Sequence, residues 1–345
     1  MDHRDNVQNK PIKTIFVCEF ITAGGLNHHA LPQSLLEQGA AMRDALLRDL
    51  SDLPYQIITA VDARLSNPSD CHACYVIGAD DDVWQKWAEI MHYADAVWLI
   101  APETDGNLAK LTALALQQNK TILGCGLNAI NVCSSKWATY QLLHRAGVSA
   151  VETFTYAEWP KTDGVSWLAK PDDGAGCEQT VCFDAPARLL QWLSQYQRDE
   201  THVIQPYIAG QAGSISCVMY QGKADVLSCN QQLIAMNNNQ LTYQGCLVNG
   251  MQQYWEKFAL LANQIAQLLP DLIGYVGIDV IVHDNQPEEL ITMIEINPRL
   301  TTSYIALREA TGTNTAELII NALIQPDYPR PVIQRNTVLL EGYHA

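Results

Sequence analysis

Between residues 14 and 126, short β-rich runs and amphipathic segments take strict turns, and that order constrains the fold more than any other feature of the chain. TIFVCEF (14–20), YQIITAVD (55–62), DAVWLIAPE (95–103) and KTILGCG (120–126) have the β-branched and aromatic content of strands. QSLLEQGAAMRDALLRDL (33–50), DDVWQKWAEIMHYA (81–94) and NLAKLTALALQQN (107–119) place apolar residues at helical spacing. Strands separated by helices of this length imply a parallel sheet with helices on its faces. Residues 11 to about 130 therefore read as one open α/β domain.

The pattern then changes. SSKWATYQLLHRAGV (134–148) is a helix with Ser134 or Ser135 as N-cap and Gly147 near its end. After it come the short strand runs SWLAKP, QTVCF, HVIQPYI, SISCVMY and ADVLSCNQQLI, then a helix over 256–269. YVGIDVIVHD (275–284) and ELITMIEINP (289–298) are apolar strands joined by Asn285-Gln286-Pro287, a hairpin turn. A last helix spans 315–324, and TVLLEGY (337–343) is expected to add an edge strand. The fold class is thus α/β followed by α+β.

Composition narrows the partners. Lys plus Arg number 21 against 37 Asp plus Glu, so the formal charge is 21 − 37 = −16, which disfavours nucleic acid and anionic membranes as partners. No apolar run approaches about 18 residues, so no transmembrane span is expected. Residues 1–13 are polar, without the apolar segment of a secretion signal, and read as a short disordered leader. The ten cysteines are scattered, which suits a reduced, cytoplasmic chain. Cys71 and Cys74 form the one CxxC; no second pair at ligand spacing follows, so a loop thiol pair is the default reading over half a zinc site.

The chemistry concentrates near the C-terminus. Alternate side chains of a strand share a face, so Glu295, Asn297 and Arg299 point one way if the chain stays extended to 299. Met293 is expected on that face, with Ile294 and Ile296 in the core. The hairpin can bring Asp279 opposite Glu295. Two carboxylates on apolar strands are costly unless a cation sits between them, and Mg²⁺ takes such hard oxygen ligands together with phosphates. Asn297 adds a carbonyl oxygen. Arg299 is suited to clamp phosphate or carboxylate oxygens. The plain alternative is two solvent-facing acids balanced by nearby Lys or Arg. Further pieces bear on that choice. A strand delivers Lys170 to a loop with Gly174 and Gly176, whose backbone N–H groups can fold over phosphate, although any turn carries such a GxG. Lys136 opens a helix, where a cation and helix N–H groups can meet an anion; a solvated helix lysine is the alternative. VIQPYIAG (203–210) is an extended run broken by Pro206 and Gly210. No Ser, Cys or His forms a nucleophile–base pair by spacing. ITAGGLNHH after the first strand lacks GxGxxG, which disfavours a dinucleotide-dependent dehydrogenase, and His28-His29 reads as a solvated loop pair.

In this order the pieces resemble the ATP-grasp superfamily of carboxylate–amine ligases over most of the chain, with GYVGID followed by EINPR as the most specific part. The resemblance implies an ATP-grasp fold with an N-terminal open parallel-sheet (pre-ATP-grasp) domain over 1–130, a lid subdomain over 131–206 and a C-terminal subdomain with the metal strands over 207–345. It implies that Lys136 and Lys170 contact the ATP phosphates, that the 174–177 loop with Gly174 and Gly176 closes over them, and that Gln205, Pro206, Tyr207 and Ile208 form the adenine hinge. Asp279, Glu295 and Asn297 would hold one or two Mg²⁺ ions (or Mn²⁺), and Arg299 would stabilise the transferring phosphoryl group. Many members carry acids at the hinge start and after Gly210; this chain has Gln205 and Gln211, so the ribose partner stays open.

The reaction so implied has two steps. A carboxylate attacks the γ-phosphate of ATP, and an amine then displaces phosphate from the acyl phosphate. FVCEFITAGG (16–25), IAPETDG (100–106) and EINPRLTTSY (295–304) resemble the subgroup that contains tyramine–L-glutamate ligase of methanofuran biosynthesis. The resemblance implies glutamate, activated at its side-chain carboxyl, and tyramine or a related aromatic amine as small-molecule substrates. Glu19, Gly24, Gly25, Thr301, Thr302 and Ser303 become candidate substrate-facing residues, with Tyr304 beside them; for Glu19 and the two glycines a strand end with a tight turn is the alternative. A ligase for another acid and amine, and a non-enzymatic nucleotide binder, remain the rival readings. A homodimer through the N-terminal half is a further expectation.

Overall fold

The computed structural model describes residues 11–174, 179–195, 197–283, 291–324 and 332–342. Residues 1–10 of the leader, Gly176 with most of its loop, and the Asn285–Pro287 turn lie outside the described residues.

The N-terminal sheet consists of β1 (Thr14–Glu19), β2 (Gln56–Asp62), β3 (Ala73–Ile77), β4 (Ala96–Ile100) and β5 (Thr121–Ile122), all parallel, in the order β3-β2-β1-β4-β5. Helices α1 (Gln33–Ser51), α2 (Val83–His92) and α3 (Asn107–Gln117) connect them. β3 is an addition to the sequence reading, which had ended at the Cys71–Cys74 loop. It is an edge strand of only five residues, too short to show a period. Strand order reverses between β1 and β4, so the crevice beyond their C-terminal ends is where such sheets place ligands. Glu19 ends β1, and Glu103 lies just past β4.

Short α4 (Leu127–Cys133) leads to α5 (Lys136–Arg145). Ser135, not Ser134, caps α5: its Oγ accepts the Ala138 amide at 3.0 Å. The helix terminates before Gly147, which holds φ +71°, a left-handed conformation that glycine tolerates.

The second sheet runs β13 (Ile291–Asn297), β12 (Gly274–Val282), β9 (Gln211–Tyr220), β10 (Lys223–Asn237), β11 (Gln240–Val248), β7 (Val181–Phe183), β6 (Trp167–Pro171) and β8 (His202–Pro206), with β14 (Val338–Glu341) on the flank of β11. Its pairings are antiparallel. The helices α6 (Pro186–Gln195), α7 (Trp255–Leu268), α8 (Tyr304–Thr311) and α9 (Thr315–Ile324) complete the fold. α6 and α8 are additions to the sequence reading; each is no more than ten residues, too short for a decisive helical period.

Burial divides the molecule unequally. Residues of β1 to β4 share continuous apolar cores with β9, β12 and β13, and with α8 and α9. Trp159, Trp167, Phe183, Leu189, Leu193 and Ile204 form a separate core for the β6–β7–β8 unit and α6. That unit meets β11 through the register pair Gln240–Val181, flanked by the bonds from the Cys182 amide to the Asn239 carbonyl and from the Leu241 amide to the Thr180 carbonyl.

Candidate active site

The site grows from β12 and β13. Gly277 lies opposite Asn297, Ile278 opposite Ile296, and Asp279 opposite Glu295. Ile278 and Ile296 are buried, so the two carboxylates project from the other face. One position on, the register slips and Val280 meets Met293. This bulge at Ile294 turns Met293 into the core beside Val280, where both are buried. Simple alternation, which puts Met293 on the site face, fails for that reason.

Each carboxylate has a definite environment. Lys136 Nζ stands 3.3 Å from Glu295 Oε2. Asp279 accepts Gln232 Nε2 on Oδ1 at 2.9 Å and Asn297 Nδ2 on Oδ2 at 3.4 Å. Burial first, and the charge of Glu295 second, push the Asp279 carboxyl up to about 7, against those two hydrogen bonds and the charge of Lys170. Two carboxylates and a neighbouring amide form a hard-oxygen donor set of the kind that suits Mg²⁺. For Asn297 to join it, the amide would turn its oxygen toward Asp279.

Lys136 and Lys170 come from different elements. Lys136 is the first residue of α5 and is buried. Its Nζ also donates to the carbonyls of Asp172 and Gly174, and the Trp137 amide donates to Asp172 Oδ1 at 2.9 Å. The start of α5, the loop after β6 and strand β13 therefore meet at one ammonium group. Lys170 is buried on β6, opposite Val203 of β8. Gly174 donates to the Pro171 carbonyl at 3.4 Å, and a Cβ on it would stand 3.0 Å from the Pro171 side chain.

At the hinge, Gln205 is buried and donates Nε2 to Thr153 Oγ1 at 2.9 Å. Its side chain is tied to the segment that precedes β6. Gln211 is half-buried at the start of β9, opposite Val282. Pro206 ends β8, the Tyr207 amide donates to the Ser166 carbonyl at 2.8 Å with its ring exposed, and Ile208 is half-buried.

The candidate substrate residues fall into two groups. Glu19 is buried and accepts the Ile21 amide on Oε1 at 3.2 Å and the Thr22 amide on Oε2 at 2.7 Å. Burial raises its pKa against those two amides and the field of Arg43. It caps the turn Ile21–Gly25, in which Gly24 holds φ +90° and a Cβ on Gly25 would stand 2.6 Å from the Phe20 carbonyl oxygen. The turn accounts for all three residues. The hydroxyls after β13 are also engaged. Thr301 and Ser303 bond the Tyr275 hydroxyl at 2.8 and 3.2 Å, Ser303 meets Ser216 at 3.0 Å, and Thr302 meets the Tyr243 hydroxyl at 3.1 Å. Tyr304 opens α8 and donates to Asp49 Oδ2 at 2.9 Å. These bonds fasten the strand-to-helix turn to its neighbours.

Arg299 brings in a residue that sequence reasoning missed. Its Nε and Nη2 donate to Glu103 Oε2 at 3.0 and 2.8 Å. Burial works against the guanidinium charge, but Glu103, Glu295 and Asp279 together hold its pKa above the usual value. The IAPETDG run marked the neighbourhood of Glu103, but nothing in its spacing pointed across 196 positions to Arg299.

With this geometry in hand, comparison with known proteins is direct. A model of the ATP-grasp domain matches residues 133–303, and a model of the pre ATP-grasp 3 domain matches residues 55–130. The chain belongs to the ATP-grasp superfamily. This ATP-grasp ligase is 27% identical over 311 residues to tyramine–L-glutamate ligase of Methanocaldococcus fervens, covering 89% of this chain and 92% of that protein. In fold it resembles an ATP-grasp superfamily protein from Archaeoglobus fulgidus, at TM-score 0.70 and 23% identity, over 95% of this chain and 100% of that one. It also resembles the biotin carboxylase domain of Hydrogenobacter thermophilus 2-oxoglutarate carboxylase in complex with MgADP, ADP and bicarbonate, at TM-score 0.73 and 14% identity, over 95% and 73% of the two chains. The parallel N-terminal sheet and the antiparallel second sheet of the ATP-grasp ligase agree with the fold class read from the sequence. Among the described residues, no helix is long and apolar enough to cross a membrane.

Proposed function

We propose that the protein condenses glutamate, through its side-chain carboxyl, with tyramine or a related aromatic amine, in a methanofuran-type cofactor pathway, by way of an acyl phosphate. The observation that carries the ligase chemistry is Asp279 directly opposite Glu295, with Lys136 against one acid and Asp279 pushed up to about 7. The relationship to tyramine–L-glutamate ligase over most of both chains supports the choice of substrates.

Each residue then has a task. Asp279, Glu295 and Asn297 would hold Mg²⁺, which would supply positive charge against the phosphates. Lys136 and Lys170 bind phosphate oxygens, and Gly174 lets the loop approach them closely. Lys136 also meets Glu295 and the loop carbonyls of Asp172 and Gly174. Pro206 offers a carbonyl and Ile208 an amide to adenine. The ribose falls to one of Gln205 and Gln211, which flank the Pro206–Gly210 segment. Arg299 stabilises the phosphoryl group during transfer. Residues 131–206 act as the lid between the 1–130 domain and the 207–345 subdomain. The work is positioning and charge neutralisation, which needs no nucleophilic side chain.

The test is ADP release from Mg²⁺-ATP with glutamate, with and without tyramine, followed by mass analysis of the product. Amine-dependent release with the mass of γ-glutamyltyramine is expected. ADP release with a different acid and amine from a panel keeps the ligase and replaces the substrates. Nucleotide binding with no turnover on any pair contradicts the ligase reading.

A further inference from the structure

Arg299 is held rather than merely present. Besides the two bonds to Glu103 Oε2, its Nη1 donates to the Leu300 carbonyl at 3.1 Å and its Nη2 to Asn297 Oδ1 at 3.4 Å. These four contacts engage much of a group with five N–H donors. Glu103 is 6% exposed, and its Oε1 is buried without a hydrogen-bond partner among the described residues. A carboxylate and a guanidinium kept together for stability alone favour two parallel bonds that use both oxygens. Here one oxygen takes two donors and the other goes unpaired, an arrangement costly enough to need a reason other than stability.

The turn that carries Glu103 has a second attachment. The Asp105 amide donates to Asp173 Oδ2 at 2.9 Å, and Thr104 Oγ1 donates to the Asp173 carbonyl at 3.3 Å. Asp173 sits between the Lys170 strand and Gly174. Asp105 at φ +57° and Gly106 at φ +67° hold two successive left-handed conformations, which an aspartate seldom adopts. One short turn of the N-terminal domain therefore grips the arginine on one side and the glycine-loop segment on the other.

We propose that Glu103 is the positioning residue for Arg299, and that the 103–105 turn sets this arginine in register with the loop that follows Lys170. The proposal rests on the ligase reading above, in which Arg299 meets the transferring phosphoryl group. Glu103 acts through Arg299 and does not itself touch the reacting atoms.

The experiment is a double-mutant cycle in the full-length protein with Glu103→Ala, Arg299→Ala and the pair. Glu103→Ala is expected to lower kcat about 30-fold or more while KM for ATP stays within about threefold. In the Arg299→Ala background it should cost no more than about threefold further, because its partner is already gone. Glu103→Gln, which retains volume and one acceptor, should fall between wild type and Glu103→Ala, and it serves if the alanine variant fails to fold. In ¹⁵N spectra the Arg299 Nε–H signal should be protected from exchange in the wild type and lost in Glu103→Ala. Losses that multiply in the double variant, or a kcat within about threefold of wild type for both Glu103 variants, overturn the proposal. If the wild type turns over no acid and amine, the ligase reading fails by itself; the Arg299 signal then still decides whether Glu103 holds the arginine, and an exchange rate unchanged by Glu103→Ala refutes that.

Discussion

Glu295 and Asp279 face each other at a register pair with only part of their charge balanced. Removing one charge there should be felt in the chemical step. Glu295→Gln is expected to cut turnover about 100-fold or more, read as steady-state kcat at saturating Mg²⁺-ATP; near-normal turnover would remove Glu295 from the metal set. Lys170→Ala is expected to weaken ATP binding about tenfold by titration calorimetry, and unchanged affinity would make the loop after it an ordinary turn. At this scale much was legible. A period of two shows that Glu295, Asn297 and Arg299 share a face, and a hairpin suffices to bring Asp279 to them. Met293 was misjudged because a one-residue bulge reverses the alternation, and no side-chain pattern announces it. Glu103 was passed over because its partner is remote in sequence.

The lid and the strands that face it differ in what holds them. β12 and β13 belong to the large shared core, whereas β6, β7, β8 and α6 close around a small cluster of buried side chains of their own. Against Trp192 beside that small core lies His202, 8% exposed, with its Nε2 unpartnered among the described residues. Burial first, and the charge of Arg198 second, lower its pKa from 6.5 to about 4. The unfolded chain thus binds a proton more readily than the folded one between these values. The stability that neutral His202 contributes is complete above about pH 6.5 and is lost as pH falls toward about 4. His202→Phe, which keeps a ring beside Trp192, should remove on the order of 2 kcal/mol of that acid sensitivity. Thermal melts at pH 7.5 and 5 check this, and equal acid sensitivity in both proteins would rule out His202 as its source. At the element scale the long periodic helices and apolar strands were readable. β3, β11, α4, α6 and α8 were not, because five to ten residues do not display a period and tertiary packing selects their conformation.

Across the whole molecule, the N-terminal sheet and the metal strands share their cores, so the crevice past β1 and β4 opens directly beside Arg299. The fold class followed from the order of strands and helices. How the two sheets share a core did not, because it depends on contacts such as Tyr304 with Asp49, which are 255 positions apart. On the function proposed above, nucleotide lies between residues 131–206 and the β12–β13 pair, and the crevice takes acid and amine. The central event of the proposed function is the attack of a carboxylate oxygen on the γ-phosphorus of ATP. The most direct measurement of that event uses glutamate labelled with ¹⁸O in its side-chain carboxylate, together with tyramine and Mg²⁺-ATP, and the mass of the phosphate released. One labelled oxygen in the phosphate is the expected result, because the acyl phosphate leaves with the oxygen that attacked. Phosphate free of label, released in step with amide formation, would contradict the acyl-phosphate route and with it the roles assigned to Arg299 and the metal strands.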